Sequence, residues 1–94
     1  MTQSPTKSTW SAEDVIAVLR DLAQAEDLPA HLATGEIKPQ DTVDTLGIDS
    51  LGGAFLIERL EEMSGTPMPD DFLDLSDNVA VIAERLTALA QKAG

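Results

Sequence analysis

Residues 46–65 read LGIDSLGGAFLIERLEEMSG. At helical spacing Gly53, Leu56, Ile57, Leu60 and Met63 fall within one arc of about 120°, which predicts a helix with that arc against a core. The helix is expected from about Ser50 to Met63, with a stop near Gly65. Glu58 and Glu62 fall on the opposite side with Leu51, Ala54 and Phe55, and Arg59 and Glu61 flank them. A purely structural helix keeps its outer face polar. This one mixes apolar side chains with carboxylates, the anatomy of a protein interface with an apolar centre and a charged rim. Phe55 has two readings, a docking spot or a side chain folded back on the preceding loop. Gly52 and Gly53 each cost about 1 kcal/mol against Ala in a helix interior. Gly53, on the expected core face, would let the preceding loop approach closely. Gly52 would leave room beside Ser50.

Upstream, Ser11-Ala12-Glu13-Asp14 resembles a capping box with Asp in the third place. Val15, Val18, Leu19 and Leu22 follow at helical spacing, so a first helix is expected over 11–25. Residues 26–49 form a long connection broken by Pro29, Gly35 and Pro39. Leu32, Ile37, Val43, Leu46 and Ile48 can pin it onto a bundle. Downstream, Pro67-Met68-Pro69 is a rigid break, and one short turn of helix is expected over Asp70 to Asp74, with Phe72 and Leu73 inward. Ser76 or Asp77 is expected to cap a last helix to about Gln91, with Val79, Ile82, Ala83, Leu86 and Leu89 or Ala90 on one stripe. The expected architecture is all-α, three main helices plus a short fourth. The expected organisation is a flexible tail over 1–10, one domain over 11–91 and a short tail over 92–94.

The chain has 94 residues and a net charge of -11. Between Asp41 and Asp77 there are ten acids and one base, Arg59. Nucleic acid is a poor partner for such a surface, because phosphate binding relies on Lys and Arg. A basic protein surface is its complement. Crowded carboxylates are also expected to have raised pKa values, so that mild acidification stabilises the fold. There is no Cys, hence no disulfide, thiolate metal site or Cys nucleophile, and His31 is the only histidine. No apolar run reaches the ~18 residues of a membrane helix, and the first ten residues lack the apolar centre of a signal peptide. A whole short, monomeric cytoplasmic protein is the expectation.

Ser50 stands where the long connection meets the helix. Taken alone it reads as a helix N-cap, a role Asp49 could fill equally. Its setting says more. Leu46-Gly47-Ile48-Asp49-Ser50-Leu51 resembles the Leu-Gly-hydrophobic-Asp-Ser-Leu signature of acyl carrier proteins. Ile37-Lys38-Pro39-Gln40-Asp41-Thr42 resembles the loop segment before that signature. Leu60-Glu61-Glu62 is similar to the acidic end of the family's second helix, and Met68-Pro69-Asp70-Asp71 to its Ile-Pro-Asp segment. The resemblance spans residues 11–91.

The resemblance implies a small right-handed all-α bundle of the discrete carrier type. It implies that Ser50 accepts 4′-phosphopantetheine from coenzyme A, delivered by a separate phosphopantetheinyl transferase, so that Ser50 is modified rather than catalytic. The arm would supply the working thiol that the chain lacks and hold acyl groups as thioesters. Asp49 and Leu51 flank the attachment point, and Asp44, Leu51, Ala54, Phe55, Glu58, Glu61 and Glu62 are the implied docking positions. The implied partners are acyltransferases, ligases or synthases with basic docking surfaces. Gly52, Gly53 and Phe55 depart from the family pattern and hint at a dedicated partner in polyketide or other specialised acyl biosynthesis.

Other classes fit less well. A serine hydrolase needs Gly-x-Ser-x-Gly after a strand. Here Gly47 lies three residues before Ser50, Gly52 two after, and no strand precedes it. Asp41, Asp44 and Asp49 lack the spacing of a calcium loop. A peptidyl or aminoacyl carrier is the nearest alternative, and an unmodified acidic adaptor the more distant one.

Overall fold

The computed structural model describes residues 9–69 and 71–93. Its order is α1 (Ala12–Gln24), α2 (His31–Thr34), α3 (Ser50–Ser64) and α4 (Val79–Ala93). Three long helices and one short one make an all-α bundle. α1 starts where the sequence says it should. Ser11 Oγ accepts from the Asp14 N–H and Asp14 accepts from the Ser11 N–H, so two backbone donors at the helix start are satisfied reciprocally. The helix ends in a turn where Glu26 takes a left-handed φ of 69° and Asp27 N–H returns to the Leu22 carbonyl. α3 ends at Gly65, also left-handed at φ 70°, a conformation that glycine adopts without steric cost.

Val15, Val18, Leu19 and Leu22 of α1 meet Leu56 and Leu60 of α3 and Val79, Ile82 and Leu86 of α4 in one core. The long first connection is part of that core, for Leu28, Leu32, Ile37, Val43, Leu46 and Ile48 are all buried. The second connection, residues 65–78, contributes Met68 and Phe72. The two connections are zipped together. Thr42 and Asn78 form an isolated antiparallel bridge, Val43 N–H donates to the Asp77 carbonyl, and Asp44 N–H donates to the Leu75 carbonyl.

Several expectations need correction. The short helix expected over 70–74 is absent from its described part. Asp70 lies outside the described residues, and 71–74 form a turn and a stretch without regular structure, in which Phe72 N–H closes on the Pro69 carbonyl. Asp74 and Asp77 spend their carboxylates on local turns there, accepting from Ser76 and from the Asp74 N–H, and this favours a non-helical backbone. The short helix lies in the first connection instead. Arg20 of α1 donates to the carbonyls of Leu32, Ala33 and Gly35, which a helix of four residues leaves without partners. The α4 cap is Asn78, whose side chain accepts from Val81 N–H, rather than Ser76 or Asp77.

The tail expected over 1–10 lies outside the described residues for 1–8. Trp10 is no tail residue. It is 5% exposed, its N–H donates to Thr87 Oγ1 of α4, and Thr87 Oγ1 contacts its carbonyl. At the other end Lys92 and Ala93 continue α4, and Gly94 lies outside the described residues.

Candidate functional site

Asp49 is the N-cap of α3. Its Oδ1 accepts from Gly52 N–H at 2.8 Å. That leaves Ser50 as the first helical residue, exposed, with its hydroxyl in no hydrogen bond to the described residues. Two readings of the serine therefore separate. The cap is Asp49, and Ser50 Oγ faces solvent beside the positive end of a 15-residue helix, where a phosphate diester would be favoured. Gly47, at φ 79°, makes the turn that delivers this pair. Its N–H donates to the Asp44 carbonyl, and Ile48 N–H donates back to the Val43 carbonyl.

The faces of α3 differ from the sequence expectation. Its buried residues are Gly52, Leu56, Leu60 and Ser64, an i, i+4 ladder. Gly53 and Ile57 are half-buried on the flank, and Met63 is 41% exposed. The buried arc is thus turned towards Gly52, because the closest neighbour of the helix start is the first connection. A Cβ built on Gly52 would stand 2.8 Å from Leu28 Cδ2 and 3.4 Å from Ile48 Cγ2. The roles of the two glycines are the reverse of those expected: Gly52 is the close-approach residue and Gly53 faces space. A Cβ on Gly53 would meet nothing nearer than Leu73 Cδ1 at 3.9 Å.

That space is a groove of about 420 Å³ beside Ser50. Val43, Ile48 and Asp49 come from the first connection, Gly53, Ala54 and Ile57 from α3, and Leu73, Asp74 and Leu75 from the second. Ala54 and Ile57 also border a further hollow of about 320 Å³ that Glu58, Glu61 and Met68 complete. Arg85 of α4 holds the second connection in place. It donates to the Phe72 carbonyl at 2.7 Å and to both oxygens of Asp77, and its guanidinium lies 5.9 Å from the Phe72 ring centre. The Asp77 carboxylate raises the Arg85 pKa further above its usual value. Asp74 goes against the crowding expectation. Hydrogen bonds from the Ser76 hydroxyl and N–H, with a smaller pull from Arg85, lower its pKa. No local sequence signal marks the Leu73–Leu75 wall or the Arg85 clip, since both depend on which loop α4 faces.

The expected docking residues fall into three situations. Leu51, Ala54, Glu58 and Glu62 are exposed on α3, Leu51 at 65%, and Asp44 is exposed on the neighbouring loop. Phe55 is half-buried and stands outside the set of apolar side chains packed on the core. Glu61 is half-buried, and its Oε2 accepts from Met68 N–H at 2.8 Å, so it also ties the second connection to α3. Arg59, the single base between Asp41 and Asp77, is turned to α1 and paired with Asp21. Among the described residues no three His, Cys, Asp or Glu side chains gather as a metal site would need, and no helix is long and apolar enough to cross a membrane.

Residues 17–86, well over half of the chain, match the family model described as the phosphopantetheine attachment site. No match to a curated protein or to a solved structure accompanies it. The matched span runs from the middle of α1 to the middle of α4 and takes in the exposed Ser50, its Asp49 cap and the groove. The chain therefore belongs to the phosphopantetheine attachment site family, a carrier domain whose prosthetic group is covalently bound 4′-phosphopantetheine.

Proposed function

We propose that the chain is an acyl carrier protein on which Ser50 carries the 4′-phosphopantetheine arm. The observation that supports this most is the division of labour at the start of α3. Asp49 performs the capping, and Ser50 keeps an exposed, uncommitted hydroxyl at the helix N-terminus. The residues fit the group. The diester's negative charge would sit where backbone N–H groups point outward, and Gly53 keeps bulk out of the groove beside the attachment point. When attached, the arm supplies a terminal thiol that bears an acyl group as a thioester.

The protein's own part is presentation. Ser50 sits on a junction held from both sides by buried residues, so the attachment point is fixed while the arm is free. Leu51 offers an apolar contact beside it, and Asp44, Glu58 and Glu62 form an exposed acidic rim. Ala54 and Phe55 fill the space between. Such a surface suits a phosphopantetheinyl transferase and basic acyltransferases, ligases or synthases, with the acids raising encounter rates. Phe55 and the glycine pair favour a dedicated partner in polyketide or other specialised acyl biosynthesis over a general fatty-acid set. The carrier works as one domain whose core includes Trp10 and whose last helix runs to Ala93, as a monomer in the cytoplasm.

The direct test is incubation with coenzyme A and a broad-specificity phosphopantetheinyl transferase, followed by intact mass measurement. The expected result is a gain of one phosphopantetheine, abolished in Ser50→Ala. A gain that survives that substitution, or no gain at all, overturns the reading.

A further inference from the structure

Gly53 stands out because its local structure gives no reason for it. Gly47 and Gly65 have left-handed backbones, and Gly52 is pressed against Leu28. Gly53 lies inside α3, where the backbone is ordinary for any residue and glycine carries a helix-propensity penalty. The nearest atom to a Cβ there, Leu73 Cδ1 at 3.9 Å, is at ordinary contact distance. Alanine would fit. What the missing side chain does is leave the space between α3 and Leu73 in the Ser50 groove unfilled.

Val43 and Ile48 of the first connection, Ile57 of α3 and Leu73 and Leu75 of the second connection give that groove its apolar lining. Gly53 faces Leu73 in the groove, within one helical turn of Ser50. Its volume of about 420 Å³ is within the range of ~300–1,000 Å³ usual for clefts that bind small molecules. The groove is an open trough rather than a narrow tunnel. A straight alkyl chain in a trough touches one wall and stays wet. A ring or a branched group spans both walls and covers more apolar surface at the same depth. The carboxylates of Asp49 and Asp74 stand in the lining, which disfavours an anionic group.

We infer that Gly53 is a specificity-determining residue, and that the groove it widens takes an uncharged ring-bearing or branched acyl group carried on the arm of Ser50. The inference rests on the carrier reading above and adds to it the class of cargo.

The test uses the 94-residue chain and its Gly53→Ala and Gly53→Leu variants. Each is charged with a phosphopantetheine arm bearing either a cyclohexanecarbonyl or a hexanoyl group, from the corresponding coenzyme A thioesters, and charging is verified by mass. Two quantities are read: methyl chemical shifts of Ile57, Leu73 and Leu75, and the rate of thioester cleavage by hydroxylamine. Each cleavage rate is divided by that of the same coenzyme A thioester free in solution; on that scale the cyclohexanecarbonyl group in the unaltered chain should move all three methyl signals and be cleaved several-fold more slowly than hexanoyl. Gly53→Ala should reduce that protection and Gly53→Leu should remove it. Equal cleavage of the two acyl groups in the unaltered chain overturns the inference, as does full protection in Gly53→Leu. Circular dichroism melting checks that each variant folds. Should Gly53→Leu fail to fold, undiminished protection in Gly53→Ala overturns it instead. Failure of the unaltered chain to take up any arm would strike at the carrier reading itself, a separate result.

Discussion

The two long connections of this molecule are both tied to a helix by an arginine, yet they are built differently. The first, between α1 and α3, buries six apolar side chains and forms its own short helix. Arg20 only completes it by satisfying the carbonyls of Leu32 and Ala33 in α2 and of Gly35 just after it. The second, between α3 and α4, has no helix among its described residues, buries Met68 and Phe72, and leaves Leu75 57% exposed. It hangs from Arg85 at Phe72 and Asp77, and from Glu61 at Met68. Burial is spread over many contacts and fails gradually, whereas a tether is a few polar bonds and can let go. The groove beside Ser50 has one wall of each kind. Val43 and Ile48 come from the buried connection, and Leu73–Leu75 from the tethered one.

The largest test of this contrast is a cavity in the first connection. Leu32 is 1% exposed, and Leu32→Ala should cost ~2–5 kcal/mol in urea unfolding, as buried leucine truncations do. A loss below ~1 kcal/mol would mean that this connection is not part of the core. Arg85→Gln should cost less, about 1–2 kcal/mol, because the side chain is partly exposed and its bonds are partly replaced by water. Its signature should be local. Amide exchange at Phe72 and Asp77 should speed up while Leu46, bonded to the Thr42 carbonyl, stays protected. Uniform acceleration would erase the distinction.

The glycine pair sharpens the comparison on a smaller scale. Gly52→Ala must push Leu28 and should lower stability by ~1 kcal/mol or less, depending on how far Leu28 can move. Gly53→Ala meets only ordinary contact and should raise stability by up to ~1 kcal/mol through helix propensity. Thermal melts of the two variants should move in opposite directions.

The smallest effect is that of acid. Asp74 has a lowered pKa in the fold, so its contribution is present above its unfolded value of 3.8 and fades as pH falls through the lower folded value. The turn at Ser76 should therefore loosen below about pH 4. Amide exchange at Ser76, followed from pH 6 to pH 3, checks this. A turn that tightens on acidification would restore the crowding picture for this carboxylate.

What could be read from the sequence was what depends on near neighbours. The capping box at Ser11, the stop at Gly65 and the stripe from Val79 to Leu86 all follow from spacings of three or four residues. Where distant partners decide, the sequence misleads. Ser76, Asp77 and Asn78 have equivalent capping chemistry, and Asn78 caps because Asp77 is taken by Arg85 and by the Asp74 N–H. The core face of α3 was drawn towards Ile57 and Met63 because hydropathy gives no weight to a buried glycine or serine. Gly52 and Ser64 occupy those places. At the site, Ser50 and the acids of α3 were legible, but the Leu73–Leu75 wall was not. Trp10 read as tail because everything before it is polar.

That Trp10 has a use outside the chemistry. The chain contains one Trp and no Tyr, so nearly all of its near-ultraviolet emission comes from a single buried indole. The Trp10 backbone joins the entry of α1 to Thr87 of α4, and the residue borders a hollow of about 360 Å³ that Arg59 and Met63 reach from α3. Its spectrum therefore reports on all three long helices at once. Loosening of the bundle can be followed by intrinsic fluorescence, without a label near Ser50.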